Sequence, residues 1–183
     1  ISFEVAPGKT LGIVGAPGTG KSTIANLVPR FYDPTSGRIT LDGQDLRDVT
    51  LASLRDHVGL VQQEAFLFDA TVTNNVAYAD PWADEDRITG AAKTAQIHDY
   101  VANLPGAYNT RVGERGVALS GGQRQRVAIA RGVVPGPGVM IFDDPRQLMP
   151  LVSRFQSLRL ELADTRRKLD EARRSKYTFT SFV

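Results

Sequence analysis

The sequence lacks several residue types and patterns that define common classes of protein. It contains no cysteine, one tryptophan and two histidines, and the absence of cysteine excludes disulfides and thiolate metal sites. Neither His57 nor His98 has partners at the spacing of metal ligands. No apolar run reaches about 18 residues, so we expect no membrane-spanning helix, and residues 1–10 lack a signal-peptide pattern. What remains is a chain of 183 residues, 42% of them hydrophobic, which is long enough for one domain with a core.

Basic charge is concentrated at the end of the chain. The formal net charge is only +2, but residues 151–183 hold eight lysines and arginines against four acidic residues. Such a segment could meet acidic headgroups, nucleic acid or an acidic partner, although a solvated helix face is the simpler interpretation. The rest of the chain is slightly acidic and has no stripe of aromatic and basic residues, so we expect no nucleic-acid partner.

Short apolar runs alternate with helical patterns along most of the chain. Three runs have the length and composition of buried parallel strands: 11–14, Val58–Val61 and Val139–Phe142. Helical spacing appears in four stretches: 22–31, Leu51–His57, much of 71–104, and 120–131. Pro29 falls inside the first of these helical stretches and is compatible only with a position near its end.

A glycine-rich segment between the first strand and the first helix carries the strongest signal. It matches the pattern G-x-x-x-x-G-K-[ST], in which backbone N–H groups and a helix N-terminus cradle phosphates. Lys21 is expected to bridge β- and γ-phosphate oxygens, and the Ser22 hydroxyl is expected to bind Mg²⁺. The predicted nucleotide-binding residues here are Gly15, Ala16, Pro17, Gly18, Thr19, Gly20, Lys21, Ser22 and Thr23.

An aspartate, Asp143, directly follows the third predicted strand. The carboxyl ends of parallel strands face the crevice in which such sheets bind ligands. A carboxylate there can hold Mg²⁺ through a water molecule, since this ion keeps several waters. Together with the phosphate loop, Asp143 is therefore interpreted as the acidic residue of a Walker B element.

Five further segments, in order and at characteristic spacing, resemble parts of the nucleotide-binding domains of ABC-type exporters. The resemblance extends over residues 1 to about 144. Leu119-Ser120-Gly121-Gly122-Gln123 looks like the family signature, and the segment 111–116 before it resembles the exporter X-loop. Gln63 matches the glutamine of the family's Q-loop, and Phe66-Leu67-Phe68 and Asn74-Asn75-Val76 follow it as they do in exporters.

The resemblance implies a fold, cofactors and partners. In this family two nucleotide-binding domains meet head to tail with ATP and Mg²⁺ between them, so that the signature of one faces the phosphate loop of the other. It implies nucleotide contacts at Ser120, Gly121, Gly122 and Gln123, and a contact of Gln63 with Mg²⁺ and the γ-phosphate. It also implies that the Gln63 loop and residues 111–116 touch the transmembrane domain of an exporter, at the cytoplasmic face of the membrane.

Three differences from the family pattern bear on hydrolysis. Asp144 stands where the family has a catalytic glutamate, and its shorter carboxylate could still polarise the attacking water. Residues 145–150 do not resemble the family's D-loop, and no histidine follows His98 to serve as its switch histidine. The candidate catalytic residues are thus Asp144, Gln63 and Lys21, and the candidate Mg²⁺ ligands are Ser22, Gln63 and Asp143.

The combined expectation is an α/β P-loop NTPase domain at 1–144. It has a mainly parallel but incomplete sheet and a helical subdomain near 70–135. Residues 145–183 form a separate tail with an amphipathic helix at about 151–172, which either packs on the domain or pairs with a second copy. The function expected is ATP binding, and by resemblance hydrolysis, that powers an exporter. The alternative is a non-hydrolytic interaction module, or a truncated fragment, that dimerises through this helix. A chromosome-maintenance ATPase is disfavoured because there the coiled coil separates phosphate loop and signature.

Overall fold

The computed structural model describes residues 1–113 and 116–143. The predictions for Asp144, for residues 145–150, for the helix at 151–172 and for the middle of the 111–116 segment lie outside the described residues. Within them, no helix is long and apolar enough to cross a membrane.

A pair of parallel strands joins the middle of the described chain to its last residues. Strand β3 (Val58–Val61) pairs in parallel with β6 (Val139–Phe142), with Val58 opposite Val139 and Val61 opposite Phe142. Both strands were predicted at these residues. Helix α2 (Leu51–His57), also as predicted, leads directly into β3. Its first turn is capped by the Thr50 hydroxyl, which accepts a hydrogen bond from the Ser53 N–H.

The first of the three predicted strands, at 11–14, differs from the expectation. Residues 11–14 are not in a strand, and their side chains are exposed, 45% for Leu11 and 92% for Val14. An apolar run has the composition for a buried strand, but burial also requires neighbouring strands. In the described part of the chain the only parallel pair, β3 and β6, is formed without this run.

A short hairpin occupies the region before α2. Strands β1 (Thr40–Leu41) and β2 (Gln44–Asp45) are antiparallel and flank Asp42-Gly43. Asp42 has φ 50° and Gly43 has φ 83°, so both central residues adopt the left-handed conformation that a tight two-residue hairpin requires.

The helical part of the chain is built around one buried cluster. Its elements are β4 (Ala70–Thr71), α3 (Val72–Val76), α4 (Glu85–Thr94), α5 (His98–Ala102), β5 (Arg111–Val112) and α6 (Gly121–Val133). β4 and β5 form an antiparallel pair. Fully buried side chains from α3, α5, β5 and α6 meet in the cluster, which also receives Val61 of β3. Helix α6 therefore contacts both the other helices of this part and strand β3, and the helices and β3 share one core.

Candidate nucleotide-binding site

The glycine-rich loop adopts a conformation that only glycine takes without strain at two positions. Gly18 has φ 80° and Gly20 has φ 86°, the left-handed region in which a Cβ is unfavourable. Gly20 is the N-cap of α1 (Lys21–Leu27). The Thr19 hydroxyl donates a hydrogen bond of 2.8 Å to the carbonyl of Ala16, which closes the loop on itself. The loop and helix start where the motif predicts them.

Helix α1 ends earlier than the apolar pattern 22–31 predicts, at Leu27. Pro29 has no N–H to donate to a helical carbonyl, and Arg30 has φ 52°, which is incompatible with a right-handed helix. Arg30 instead donates hydrogen bonds to the carboxylate of Asp33 and to the carbonyl of Leu46. The helix is thus just long enough to present its N-terminus to the loop.

Lys21 extends back over the loop. Its ammonium group donates hydrogen bonds of 2.9 Å to the carbonyl of Gly15 and 2.8 Å to the carbonyl of Ala16. An ammonium group has three N–H donors and no acceptor. The positive charge therefore lies at the mouth of the glycine-rich loop, where a bound anion would be most stabilised, together with the N-terminus of α1.

Ser22 and Asp143 are brought together from distant parts of the sequence. The Ser22 hydroxyl donates a hydrogen bond of 2.8 Å to the carboxylate oxygen Oδ1 of Asp143. Ser22 is held by the first turn of α1, and Asp143 is held by β6, since its N–H donates to the carbonyl of Val61 at 3.1 Å. A hydroxyl and a carboxylate are oxygen ligands of the kind that Mg²⁺ selects, and it takes few from the protein. These two residues fit the metal site predicted for them.

Gln63 lies at the same edge of the parallel pair. It is exposed and comes two residues after the end of β3. Because β3 and β6 are parallel, their carboxyl ends lie at one edge, where Asp143 follows β6. The bond from the Asp143 N–H to the Val61 carbonyl holds the two chain segments together at that edge. Gln63 and Asp143 therefore follow the carboxyl ends of the two paired strands, at the edge where Asp143 also accepts the hydrogen bond from Ser22.

The predicted signature residues form the start of α6. Ser120 is the N-cap, and its hydroxyl accepts from the Gln123 N–H at 3.3 Å. The Gln123 side chain in turn accepts from the Ser120 N–H at 2.8 Å, which completes a capping box. Ser120, Gly121 and Gly122 are exposed. The helix N-terminus is therefore fixed in geometry and open to an external anion, while the Gln123 carbonyl oxygen is engaged in the cap.

Two arginines tie the segment after Gln63 to its surroundings: Arg111, which begins the predicted X-loop segment, and Arg131, which the sequence did not single out. Arg111 makes a bidentate ion pair with Asp69, with Nε 2.9 Å from Oδ1 and Nη2 3.2 Å from Oδ2. Arg131 donates to the carbonyl of Phe66 and to both oxygens of Asn75. Arg131 belongs to none of the predicted motifs, and the contacts of the two arginines join residues 42 to 65 positions apart. The only available signal was the position of Arg131 on the otherwise buried side of a predicted helix.

These features define a P-loop nucleotide-binding domain: a glycine-rich loop at a helix N-terminus, with a lysine and a serine beside an aspartate that ends a parallel strand. The ABC transporter family model matches residues 1–147. The chain therefore belongs to the ABC transporter family, and the predicted α/β P-loop fold is confirmed.

The chain is also similar to individual exporters. It is 52% identical over 79% of its length to an ATM1-type heavy metal exporter of Novosphingobium aromaticivorans, of which it covers 24%. It is 50% identical over 79% of its length to an ATP-dependent lipid A-core flippase of Thiobacillus denitrificans, of which it covers 25%. The alignment with a multidrug efflux ATP-binding/permease protein of Mycobacterium bovis spans 100% of the chain at 45% identity and 16% of that protein.

A solved structure of a bacterial Atm1-family ABC exporter with ATP bound superimposes with a TM-score of 0.77. It is 47% identical and covers 85% of this chain, which spans 28% of that protein. The predicted resemblance to exporter-type domains is thus confirmed. The chain spans about a quarter or less of the length of the curated relatives named above.

Proposed function

We propose that this chain binds ATP with Mg²⁺ between its glycine-rich loop and Asp143, and that it supplies an ABC exporter with the energy of ATP. The hydrogen bond between Ser22 and Asp143 is the observation that supports this most strongly. It supports the proposal because it brings a hydroxyl and a carboxylate, oxygen groups of the kind that Mg²⁺ selects, to one point next to the lysine of the loop. Mg²⁺ at that point would neutralise charge on the β- and γ-phosphates.

The roles of the individual residues follow from their positions. Backbone N–H groups from Gly15 to Thr23 would surround the phosphates, and Lys21 would exchange its loop carbonyls for phosphate oxygens. Gln63 and Asp144 would orient the water that attacks the γ-phosphate in line with the leaving oxygen. Charge that develops in the transition state would be stabilised by donors already fixed in place, which requires little reorganisation.

The partner proposed is a second nucleotide-binding domain of the same kind. Ser120, Gly121 and Gly122 present an exposed helix N-terminus, whose partial positive charge attracts an anion. In the dimer this N-terminus would face the γ-phosphate held by the other domain. A transmembrane domain would be contacted by the Gln63 loop and the 111–116 segment, which places the chain at the cytoplasmic face of a membrane.

A second candidate function is a nucleotide-dependent interaction module that does not hydrolyse ATP. It is favoured by Asp144 in place of glutamate and by the sequence of residues 145–150, which does not resemble the family's D-loop. Shortening a catalytic carboxylate by one methylene displaces the group that must position water, and small displacements are costly in catalysis.

Turnover measured against protein concentration separates the two. A dimeric ATPase is expected to show a specific activity that rises with protein concentration and disappears in Lys21→Ala. Saturable ATP binding with no turnover at any concentration would favour the interaction module. Measurable turnover that is the same in Lys21→Ala as in the control Lys9→Ala, which alters an exposed lysine outside the loop, would contradict both.

A further inference from the structure

Arg131 makes a network of hydrogen bonds that joins three segments of the chain. It lies near the end of α6. Its Nε donates to the backbone carbonyl of Asn75 at 2.9 Å, its Nη2 to the side-chain oxygen of Asn75 at 2.9 Å, and its Nη1 to the carbonyl of Phe66 at 3.1 Å. One planar guanidinium thus holds α6, α3 and the segment after Gln63 in a fixed relation.

Asn75 completes the network on the other side. Its side chain is fully buried. Its amide N–H₂ donates to the carbonyls of Phe68 at 3.0 Å and Thr71 at 3.1 Å, and its oxygen accepts from the Phe68 N–H at 2.9 Å. Every polar atom of this buried side chain is therefore hydrogen-bonded, which makes the arrangement stiff and specific. Asn75 fixes the turn from Phe68 to Thr71, and Arg131 fixes Asn75.

Two aromatic rings, those of Phe68 and Tyr78, also contact the Arg131 guanidinium. The Arg131 guanidinium lies 5.1 Å from the centre of the Phe68 ring and 5.8 Å from that of Tyr78. These rings are themselves stacked, with centroids 4.2 Å apart. Burial among these groups lowers the pKa of Arg131 from its ordinary value. A flat guanidinium can stack on a ring and donate several hydrogen bonds in its own plane, whereas a lysine ammonium is a compact point charge without this planar fork.

We propose that Arg131 is a positioning residue that holds Gln63 in register with the signature residues at the start of α6. Only two residues separate Gln63 from Phe66, whose carbonyl Arg131 binds, so just three peptide units connect Gln63 to the restrained residue. Ser120 begins the same helix that carries Arg131. The significance for nucleotide binding rests on the proposed function, but the geometric restraint does not require nucleotide.

The chain contains no cysteine, so two spin labels can be attached at chosen sites. Labels at Glu64→Cys, next to Gln63, and at Gln125→Cys, on α6, report the distance between the two regions. The wild-type pair is expected to give one narrow distance distribution. Arg131→Lys keeps the charge but loses the fork of donors, and is expected to broaden the distribution about twofold. Arg126→Lys is the matched control, since Arg126 lies on the same helix and donates to the carbonyl of Gln96.

A second label pair distinguishes positioning from general loosening. Labels at Lys93→Cys on α4 and at Gln125→Cys on α6 lie outside the Arg131 network, and their distribution is expected to stay narrow in Arg131→Lys. The proposal is overturned if the Glu64 pair stays as narrow in Arg131→Lys as in wild type. It is also overturned if Arg126→Lys broadens that pair equally, or if both label pairs broaden together.

Because no nucleotide is added, these outcomes are independent of ATP binding, which a parallel titration with ATP and Mg²⁺ tests separately. Arg131→Met is a second variant, which removes the donors and the charge together. Should Arg131→Met fail to fold, the result is decided by Arg131→Lys.

Discussion

The hydroxyl of Ser22 lies 2.8 Å from the carboxylate of Asp143, although 121 residues separate them in the sequence. One is fixed by the first turn of a helix and the other by the end of a parallel strand. The start of helix α1 and the end of strand β6 therefore bring these two side chains into contact. If the two side chains hold Mg²⁺ as proposed, ATP binding is expected to depend on Mg²⁺ through both of them.

The metal dependence of ATP binding tests that convergence. Ser22→Ala and Asp143→Asn are expected to weaken ATP binding in Mg²⁺ by about tenfold, because each removes one oxygen ligand or its charge. Binding measured in a chelator should change much less, since Lys21 and the loop remain. Isothermal titration with and without Mg²⁺ makes the comparison, and Ser36→Ala, an exposed serine outside the site, is the control. Equal losses with and without Mg²⁺ would contradict the metal assignment.

The conformation of the loop itself can be tested at Gly18. A Cβ at this position meets no atom within 4 Å, so the cost of Gly18→Ala comes only from its φ of 80°. A left-handed non-glycine residue costs about 1–2 kcal/mol, which reduces the population of the binding-competent loop and lowers ATP affinity by about tenfold. Gly12→Ala, where a Cβ also meets no atom and φ is not in the left-handed region, should leave affinity unchanged. Equal affinities for the two variants would show that the loop conformation is not required.

Two glycines should respond to alanine with opposite changes in stability. A Cβ at Gly59 would lie 2.6 Å from the Met140 sulfur and 3.0 Å from the Gly132 carbonyl oxygen. The sulfur can move but the backbone oxygen cannot, so Gly59→Ala should destabilise the fold by about 1–3 kcal/mol. Gly90→Ala, inside α4 with open space around it, should stabilise it by about 0.5–1 kcal/mol. Thermal denaturation followed by circular dichroism measures both, and a stable Gly59→Ala would contradict the close packing of β3 on β6 and α6.

Acid stability should depend on Asp45. Its side-chain hydrogen bond with Arg47, followed by a backbone hydrogen bond from the same residue, lowers the pKa of Asp45 to about 2. A carboxyl whose pKa is lower in the folded than in the unfolded state stabilises the fold above its unfolded pKa. That contribution is lost as the pH falls through the folded pKa. The difference in thermal midpoint between wild type and Asp45→Asn should therefore be largest above pH of about 4 and shrink toward pH of about 2. Asp42→Asn, in the same hairpin, controls for the loss of a negative charge, and a difference that does not vary with pH would contradict the interpretation.

The parts of the fold that could be predicted from sequence are those with local causes. Helix α2 and strands β3 and β6 have the predicted bounds because their apolar spacing, caps and breaks lie within a few residues. Residues 11–14 have an equally clear pattern but are exposed, because a parallel strand depends on partners that its own sequence does not specify. Helix α1 is shorter than its pattern because Pro29 removes a backbone donor.

The same distinction applies to the site. The phosphate loop is recognisable because its residues occur at a fixed spacing, and Asp143 is recognisable because it directly follows a predicted strand. Their proximity is seen in the folded chain as the hydrogen bond from Ser22 to Asp143, which the spacing of either motif alone does not specify. Arg131 escaped prediction because its partners lie 56 and 65 residues away, and only the folded chain brings their oxygens to one guanidinium.

The central claim is that the loop around Lys21 binds ATP. The most direct measurement is a titration of wild type, Lys21→Ala and Lys9→Ala with ATP in excess Mg²⁺. Removing a charged donor that contacts phosphate should weaken binding by about 10- to 100-fold in Lys21→Ala, while Lys9→Ala should bind like wild type. Equal affinities in all three proteins would contradict the claim that this loop is the nucleotide site.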